Sequence, residues 1–274
     1  MEIIDLIKVI ILGMVEGLTE FAPISSTGHM IVVDDLWLHS DQFLSKYAAN
    51  TFKVVIQLGS ICAVVVVFKE RFKQLFKDLT TSESQPLKRL KFSHILAGLL
   101  PAVVLGLFFE DFIDEHLFSV STVGIGLILG SFLMMAADKW RRKAPLTLTV
   151  DDITHRQAFT VGLIQCFSLW PGFSRSGSTI SGGVLLGMSY RSAADFTFIM
   201  AVPIMLGASG LSLMKNWSYF TLDAFPYFAA GFITAFLFAL LSIRFFLNVI
   251  QKVKLMPFAI YRLVLAAAVY LVYF

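Results

Sequence analysis

Residues 16–29, EGLTEFAPISSTGH, place two carboxylates, three consecutive hydroxyls, a glycine and a histidine inside a strongly apolar part of the chain. Gly13, Glu16, Gly17 and Glu20 are spaced i, i+3, i+4 and i+7, so they share one face of a helix over 3–21. Glycines on such a face let a second backbone approach closely. Pro23 ends that helix, and Ser25-Ser26-Thr27-Gly28 reads as a turn whose hydroxyls cap the next helix. That next helix, over 29–38, is too short to cross a bilayer, which takes roughly 20 apolar residues. Residues 3–38 are therefore expected to form a re-entrant hairpin that enters and leaves by one membrane face.

The surroundings decide the class. Over 274 residues the mean hydropathy is +0.77 and only 15% of residues are charged, against about a quarter in soluble proteins. The apolar stretches are long and do not alternate strictly, which favours membrane helices over a barrel. The bilayer is thus the expected surrounding. The net charge of +3 is carried in loops between spans and gives no reason to expect nucleic acid. Cys62 and Cys166 lie in apolar segments, where a free thiol is a small hydrophobe, and give no disulfide or zinc signature. The start, MEIIDLIK, is acidic before basic and lacks a small-x-small cleavage site, so it is expected to stay in the mature protein.

Outward from the opening stretch, spans are expected at 52–68, 92–109 and 120–137. The polar, basic segment 138–157 follows. The plan then repeats. Residues 158–170 are short, apolar and end at Pro171; Ser174-Arg175-Ser176-Gly177-Ser178 is a turn; 179–188 is a short return helix; and three spans follow at 195–214, 225–246 and 255–274. Gly13 and Glu16 align with Gly162 and Gln165. Residues 25–29 align without gaps to 174–178, and Ala97-Gly98 matches Ala230-Gly231. Short, Gly/Pro-interrupted segments at matching places in two halves point to a site built by repeats. The expected fold is an all-α polytopic membrane protein with two inverted-topology repeats, each a re-entrant helical hairpin plus three transmembrane helices. It forms one membrane domain, 1–274: repeat one 1–137, cytoplasmic loop 138–157, repeat two 158–274. Lys and Arg concentrate in the segments 69–91, 138–157, 189–194 and 244–254, which should be cytoplasmic. With three spans per half, the first hairpin then enters from outside and the second from the cytoplasm, and the two turns can meet near the midplane.

Carboxylates inside an apolar segment are costly, roughly 2.5 kcal/mol or more each at the bilayer centre, so Glu16 and Glu20 are candidate functional groups. Such a pair suits a divalent cation or a metal-assisted phosphate site. Ser25, Ser26 and Thr27 are N-cap residues in one reading and anion ligands at a helix N-terminus in the other. Ser26 with His29 in reach is a minimal nucleophile–base pair. Arg175, flanked by Ser174, Ser176 and Thr179, needs an anion; Glu16 or Glu20 would serve, as would a phosphate held bidentately. Arg262 is read as structural, snorkelling to the cytoplasmic surface, and Gln57 and Gln165 as holding helices together. The 27 phenylalanines read as lipid-facing surface and core. From residues alone, hydrolysis of a phosphorylated lipid and carriage of an anion stand about even.

EGLTEFAPISSTGHM and WPGFSRSGSTISGG closely resemble the undecaprenyl-diphosphate phosphatase family, also called the bacitracin-resistance proteins. The resemblance runs essentially end to end, through FKVVIQLGSICAVVVVF, LLPAVVLGL and PFAIYR. It implies a multi-pass enzyme of the bacterial inner membrane with its site open to the periplasm. Such an enzyme removes the terminal phosphate of undecaprenyl diphosphate, recycles the carrier lipid for peptidoglycan and confers bacitracin resistance. It implies a divalent cation, Mg2+ or Ca2+. The family's acidic motif maps onto Glu16 and Glu20, which are expected to hold the cation. Its serine motif maps onto Ser25 and Ser26, its histidine onto His29, and its arginine motif onto Ser174, Arg175, Ser176 and Thr179. The catalytic set so implied is Ser26, His29, Glu20 and Arg175, with Ser25, Thr27, Ser174, Ser176 and Thr179 on phosphate. The competing class is a transporter or flippase using the same midplane pocket. An oligomer is left open.

Overall fold

The computed structural model describes residues 3–44, 46–80, 89–215 and 224–273. Lys88 of the expected basic loop and Phe274 at the end of the last span lie outside the described residues. Among them the chain is all helix, with one isolated bridge between Thr147 and Met188. Among the described residues, six helices are long and apolar enough to cross a membrane.

The first helix, α1 (Ile3–Thr19), has 17 residues, about 26 Å at 1.5 Å per residue, less than the ~30 Å hydrocarbon core. A turn leads to α2 (Ser26–Met30), which continues as a π-helical segment, Ile31–Leu38. The spans α3 (Lys46–Val67), α5 (Phe92–His116) and α6 (Val120–Trp140) follow, with α4 (Lys69–Thr80) between the first two. The second half holds the short α7 (His155–Gln165), a 3-10 turn at Cys166–Leu169 and the short α8 (Arg175–Leu185). The long helices α9 (Tyr190–Lys215), α10 (Phe225–Val253) and α11 (Met256–Tyr273) complete the chain.

Several boundaries differ from those expected, for one reason: charged and polar residues continue a helix past the apolar window. Segment 69–80 is helical because KERFKQLFKDLT has apolar residues at helical spacing. Arg71 ties it to Asp151 at 2.8 Å. All of EDFIDEH extends α5, Arg191 and Asp195 pair within the first turns of α9, and α10 runs on to Val253.

Small residues set the packing. α1 packs on α10, and α7 on α5; α3 meets α9 and α10, while α6 meets α11. A Cβ at Gly13 would stand 2.5 Å from the Gly231 carbonyl oxygen, and one at Gly162 would collide with the Gly98 carbonyl. These are the two glycine pairs that the internal alignment matches. One buried cluster gathers Phe196, Phe198, Ile199 and Met200 of α9 with Ile180, Phe246 and Ile243; another joins Leu12, Phe52, Ile56 and Phe228. Large apolar side chains also face outward, Phe108 at 82% and Leu271 at 81% exposure. So much exposed hydrocarbon on long helices is a lipid-facing surface.

Candidate active site

Two turns, each preceded by a proline, open α2 and α8. Ser25 and Ser174 occupy their N-cap positions with almost the same backbone, φ 71°, ψ 99° and φ 72°, ψ 113°. Positive φ is uncommon for a residue with a side chain and carries strain. Each serine hydroxyl accepts from the backbone N–H three residues on, Gly28 N at 3.4 Å and Gly177 N at 3.2 Å.

Glu20 joins the turns. Ser26 Oγ donates to Glu20 Oε2 at 2.6 Å, and Arg175 Nη2 donates to Glu20 Oε1 at 3.1 Å. A further link runs from Ser176 Oγ to the Ala22 carbonyl at 3.2 Å. The Phe21 ring lies 5.9 Å from the Arg175 guanidinium carbon, within cation–π range. Both partners of the ion pair are largely buried, Arg175 at 15% and Glu20 at 8% side-chain exposure, where an ion pair is screened little by solvent. Glu16 is 5% exposed and feels the charges of both Glu20 and Arg175. Its Oε1 and Arg175 Nη1 are buried without a hydrogen-bond partner. Buried polar atoms rarely stay unpaired; Arg175 lines the cavity at this junction, whereas Glu16 is not among its lining residues.

A cavity of about 260 Å³ opens here. Glu20, Ser25, Ser26, Thr27, Ser174 and Arg175 line one part of it; Gln57, Gln165 and Ser168 add amides and a hydroxyl. Positive charge, hydroxyls and two helix N-termini around one small space suit a phosphate group.

Not every candidate faces this space. His29 turns away from Ser26: Nδ1 is 2.7 Å from the Ser25 carbonyl and Nε2 is 2.7 Å from the Tyr261 hydroxyl, with the two rings stacked. Ser176 is engaged with Ala22. Thr179 is fully buried, donates to the Arg175 carbonyl at 2.8 Å and accepts from Thr197. Gln165 holds no helices together, since both its amide atoms lack partners; Gln57 accepts from Ser209 at 3.4 Å.

Arg262 differs most from its expected place. It does not snorkel but is 0% exposed. Its Nη2, with two N–H bonds to share, lies within hydrogen-bond distance of the carbonyls of Phe173 (2.9 Å), Gly172 (3.0 Å), Leu127 (3.1 Å) and Gly126 (3.4 Å). It therefore braces the second turn against α6, just as the adjacent Tyr261 braces His29 of the first. The signal in the sequence was a lone arginine in an apolar span with no carboxylate on that span. For Gln165 it was the alignment with Glu16.

A multi-pass helical membrane protein with a buried cavity lined by charged and hydroxyl side chains between two capped helix starts is the class so defined. The family described as bacitracin resistance protein BacA matches residues 9–268. An undecaprenyl-diphosphatase of Geobacillus sp. (strain WCH70) is 69% identical over all of both chains. One of Bacillus subtilis (strain 168) is 58% identical over 98% of each. The chain belongs to the bacitracin resistance protein family.

Proposed function

We propose that this protein is a membrane phosphatase that converts undecaprenyl diphosphate to undecaprenyl phosphate and inorganic phosphate. In doing so it recycles the carrier lipid for peptidoglycan and confers bacitracin resistance. The observation that carries the reading is the hydrogen-bonded line Ser26–Glu20–Arg175 inside a lipid-surrounded cavity, together with full-length relatives named for this activity.

Arg175 holds the terminal phosphate, with Nη1 still free to donate and the α2 and α8 N-termini adding N–H groups and dipole. Ser25, Thr27 and Ser174 line the same space. Ser26 Oγ attacks the terminal phosphorus in line and Glu20 Oε2, already at 2.6 Å, takes the proton. The bond from phosphorus to the bridging oxygen breaks, and undecaprenyl phosphate leaves with that electron pair. Water then attacks the phosphoserine, giving inorganic phosphate and restoring Ser26. Glu20 serves as base in place of His29, whose ring nitrogens are both engaged elsewhere; His29 helps hold the first turn. Most of the rate comes from positioning and charge complementarity.

A divalent cation fits this site. Glu16 and Glu20 are hard oxygen donors one turn apart; Glu20 lines the cavity, and Glu16, buried outside its lining, keeps an unpaired oxygen. Magnesium takes one or two carboxylates plus substrate phosphates and water, so a pair of carboxylates suffices, and Glu16 and Glu20 would hold it. When bound it supplies charge neutralisation on the diphosphate.

The fold behind this site is two inverted repeats, each with a re-entrant hairpin. The matched cap geometry of Ser25 and Ser174 supports that arrangement, as do the glycine contacts 13–231 and 162–98 and the short lengths of α1 and α7. With basic segments cytoplasmic, the cavity opens to the outer, periplasmic side. The mirrored packing is also that of transporters, which favours lipid movement between leaflets as the second reading.

The test is phosphate release from undecaprenyl diphosphate by purified protein in detergent, with magnesium, calcium or chelator. Cation-dependent release, lost in Arg175→Ala, is the expected result. No release by folded wild type would refute the enzyme and leave transport, read by lipid movement in sealed vesicles.

A further inference from the structure

Gln165 closes α7 and lines the cavity, yet it is 1% exposed and neither its Nε2 nor its Oε1 has a hydrogen-bond partner. A buried amide with both ends unpaired is rare in a native fold and marks a group whose partner enters from the cavity. The mechanism above leaves it unused. Its neighbours say what enters. Ser168, Leu169 and Trp170 follow on the same short segment, with Ser168 Oγ donating to the Gln165 carbonyl at 2.6 Å. Leu169 and Trp170 line the polar cavity on one side. On the other they line an almost wholly apolar groove of about 590 Å³ between α5 and α6, walled by Leu105, Phe109, Leu133 and Phe173. Trp170 is fixed in this wall by its indole N–H, which donates to the Thr122 carbonyl at 2.8 Å.

The two compartments order an amphiphilic diphosphate. Its terminal phosphate must lie at Ser26 and its hydrocarbon must leave the polar cavity for an apolar one. The boundary between the two is the segment that carries Gln165. The geometry assigns Gln165 to the lipid-linked phosphate: Nε2–H donates to a non-bridging oxygen of the phosphate that stays on the lipid, and the isoprenoid chain crosses Leu169 and Trp170 into the groove. Oε1 accepts from water in the cavity. This rests on the phosphatase reading above.

The two products separate the two phosphates, since undecaprenyl phosphate carries only the lipid-linked one and inorganic phosphate only the transferred one. In Gln165→Leu, inhibition by undecaprenyl phosphate should weaken about tenfold, the loss of one hydrogen bond to a charged acceptor, while inhibition by inorganic phosphate stays at the wild-type value. Gln165→Glu should weaken it further by placing like charges together. The melting temperature of Gln165→Leu should be no lower than that of wild type, because the substitution removes an unpaired amide. Unchanged inhibition by undecaprenyl phosphate overturns the assignment. So does weakened inhibition by inorganic phosphate alone, or an equal loss for both accompanied by a lower melting temperature. Wild-type protein that releases no phosphate fails the phosphatase reading itself, a result distinct from all of these.

Discussion

Replacing Glu20 by Gln removes a proton acceptor while keeping the shape of the side chain. In the structure Glu20 holds two partners at once, Ser26 Oγ at 2.6 Å and Arg175 Nη2 at 3.1 Å. The amide oxygen of Gln can still accept from Arg175, so the turns stay together, but no carboxylate remains to take the serine proton. A positioned general base contributes about 10²–10⁴ in rate, or ~2.7–5.5 kcal/mol at 1.36 kcal/mol per tenfold. Ser26→Ala removes the proposed nucleophile. Groups that act as one unit lose their joint contribution once. The double variant Glu20→Gln/Ser26→Ala should therefore be no slower than Ser26→Ala alone, with a coupling energy close to the whole effect of Glu20→Gln. The assay is initial-rate phosphate release at saturating undecaprenyl diphosphate and saturating magnesium, so that a weakened cation site in Glu20→Gln does not enter the comparison, with melting temperatures recorded for all four proteins. Losses that multiply, giving roughly 10⁴–10⁸ in the double variant, would refute the pairing of Ser26 with Glu20 in one step. Full turnover by Ser26→Ala would refute Ser26 as nucleophile.

Two further outcomes follow from the packing. Arg262→Met strips the Gly172 and Phe173 carbonyls of their guanidinium donor, at ~1–3 kcal/mol for each buried group left unpaired. It should lower both the melting temperature and phosphate release, and Arg262→Lys should restore little, because a single ammonium cannot span the planar fork; full activity in Arg262→Met would show that the second turn stands without this brace. Gly13→Ala and Gly162→Ala should each destabilise by ~1–3 kcal/mol through overpacking, because each added methyl meets a carbonyl oxygen across the helix pair. Thermal unfolding in detergent reads both, and an unshifted midpoint in either variant contradicts the close approach.

Much of the site was legible because its chemistry is local. The turns at residues 25–28 and 174–177, the isolated carboxylates Glu16 and Glu20 and the lone Arg175 stand out against an apolar background, where each polar group has to be accounted for. The helix ends were less legible. Amphipathic and charged residues such as those of 69–80 support helix beyond the apolar windows, so hydropathy placed the spans but not their limits. The directions in which side chains point were not legible at all. Ser26 and His29 are one turn apart in sequence, yet Tyr261, 232 residues on, fixes His29 away from the serine.

The sequence by itself determined the class and the polar inventory: six apolar helices, two interrupted short segments and a family-specific pair of motifs. Those depend on composition and spacing, which are properties of the unfolded chain. Only the tertiary structure decided who meets whom: Glu20 with Arg175 across 155 residues of chain, Arg262 buried under the second turn, and Gln165 left facing a cavity. The reason is that a buried polar group is satisfied by whatever the packing brings within about 3 Å, and that set is fixed by the arrangement of helices, not by neighbours along the chain.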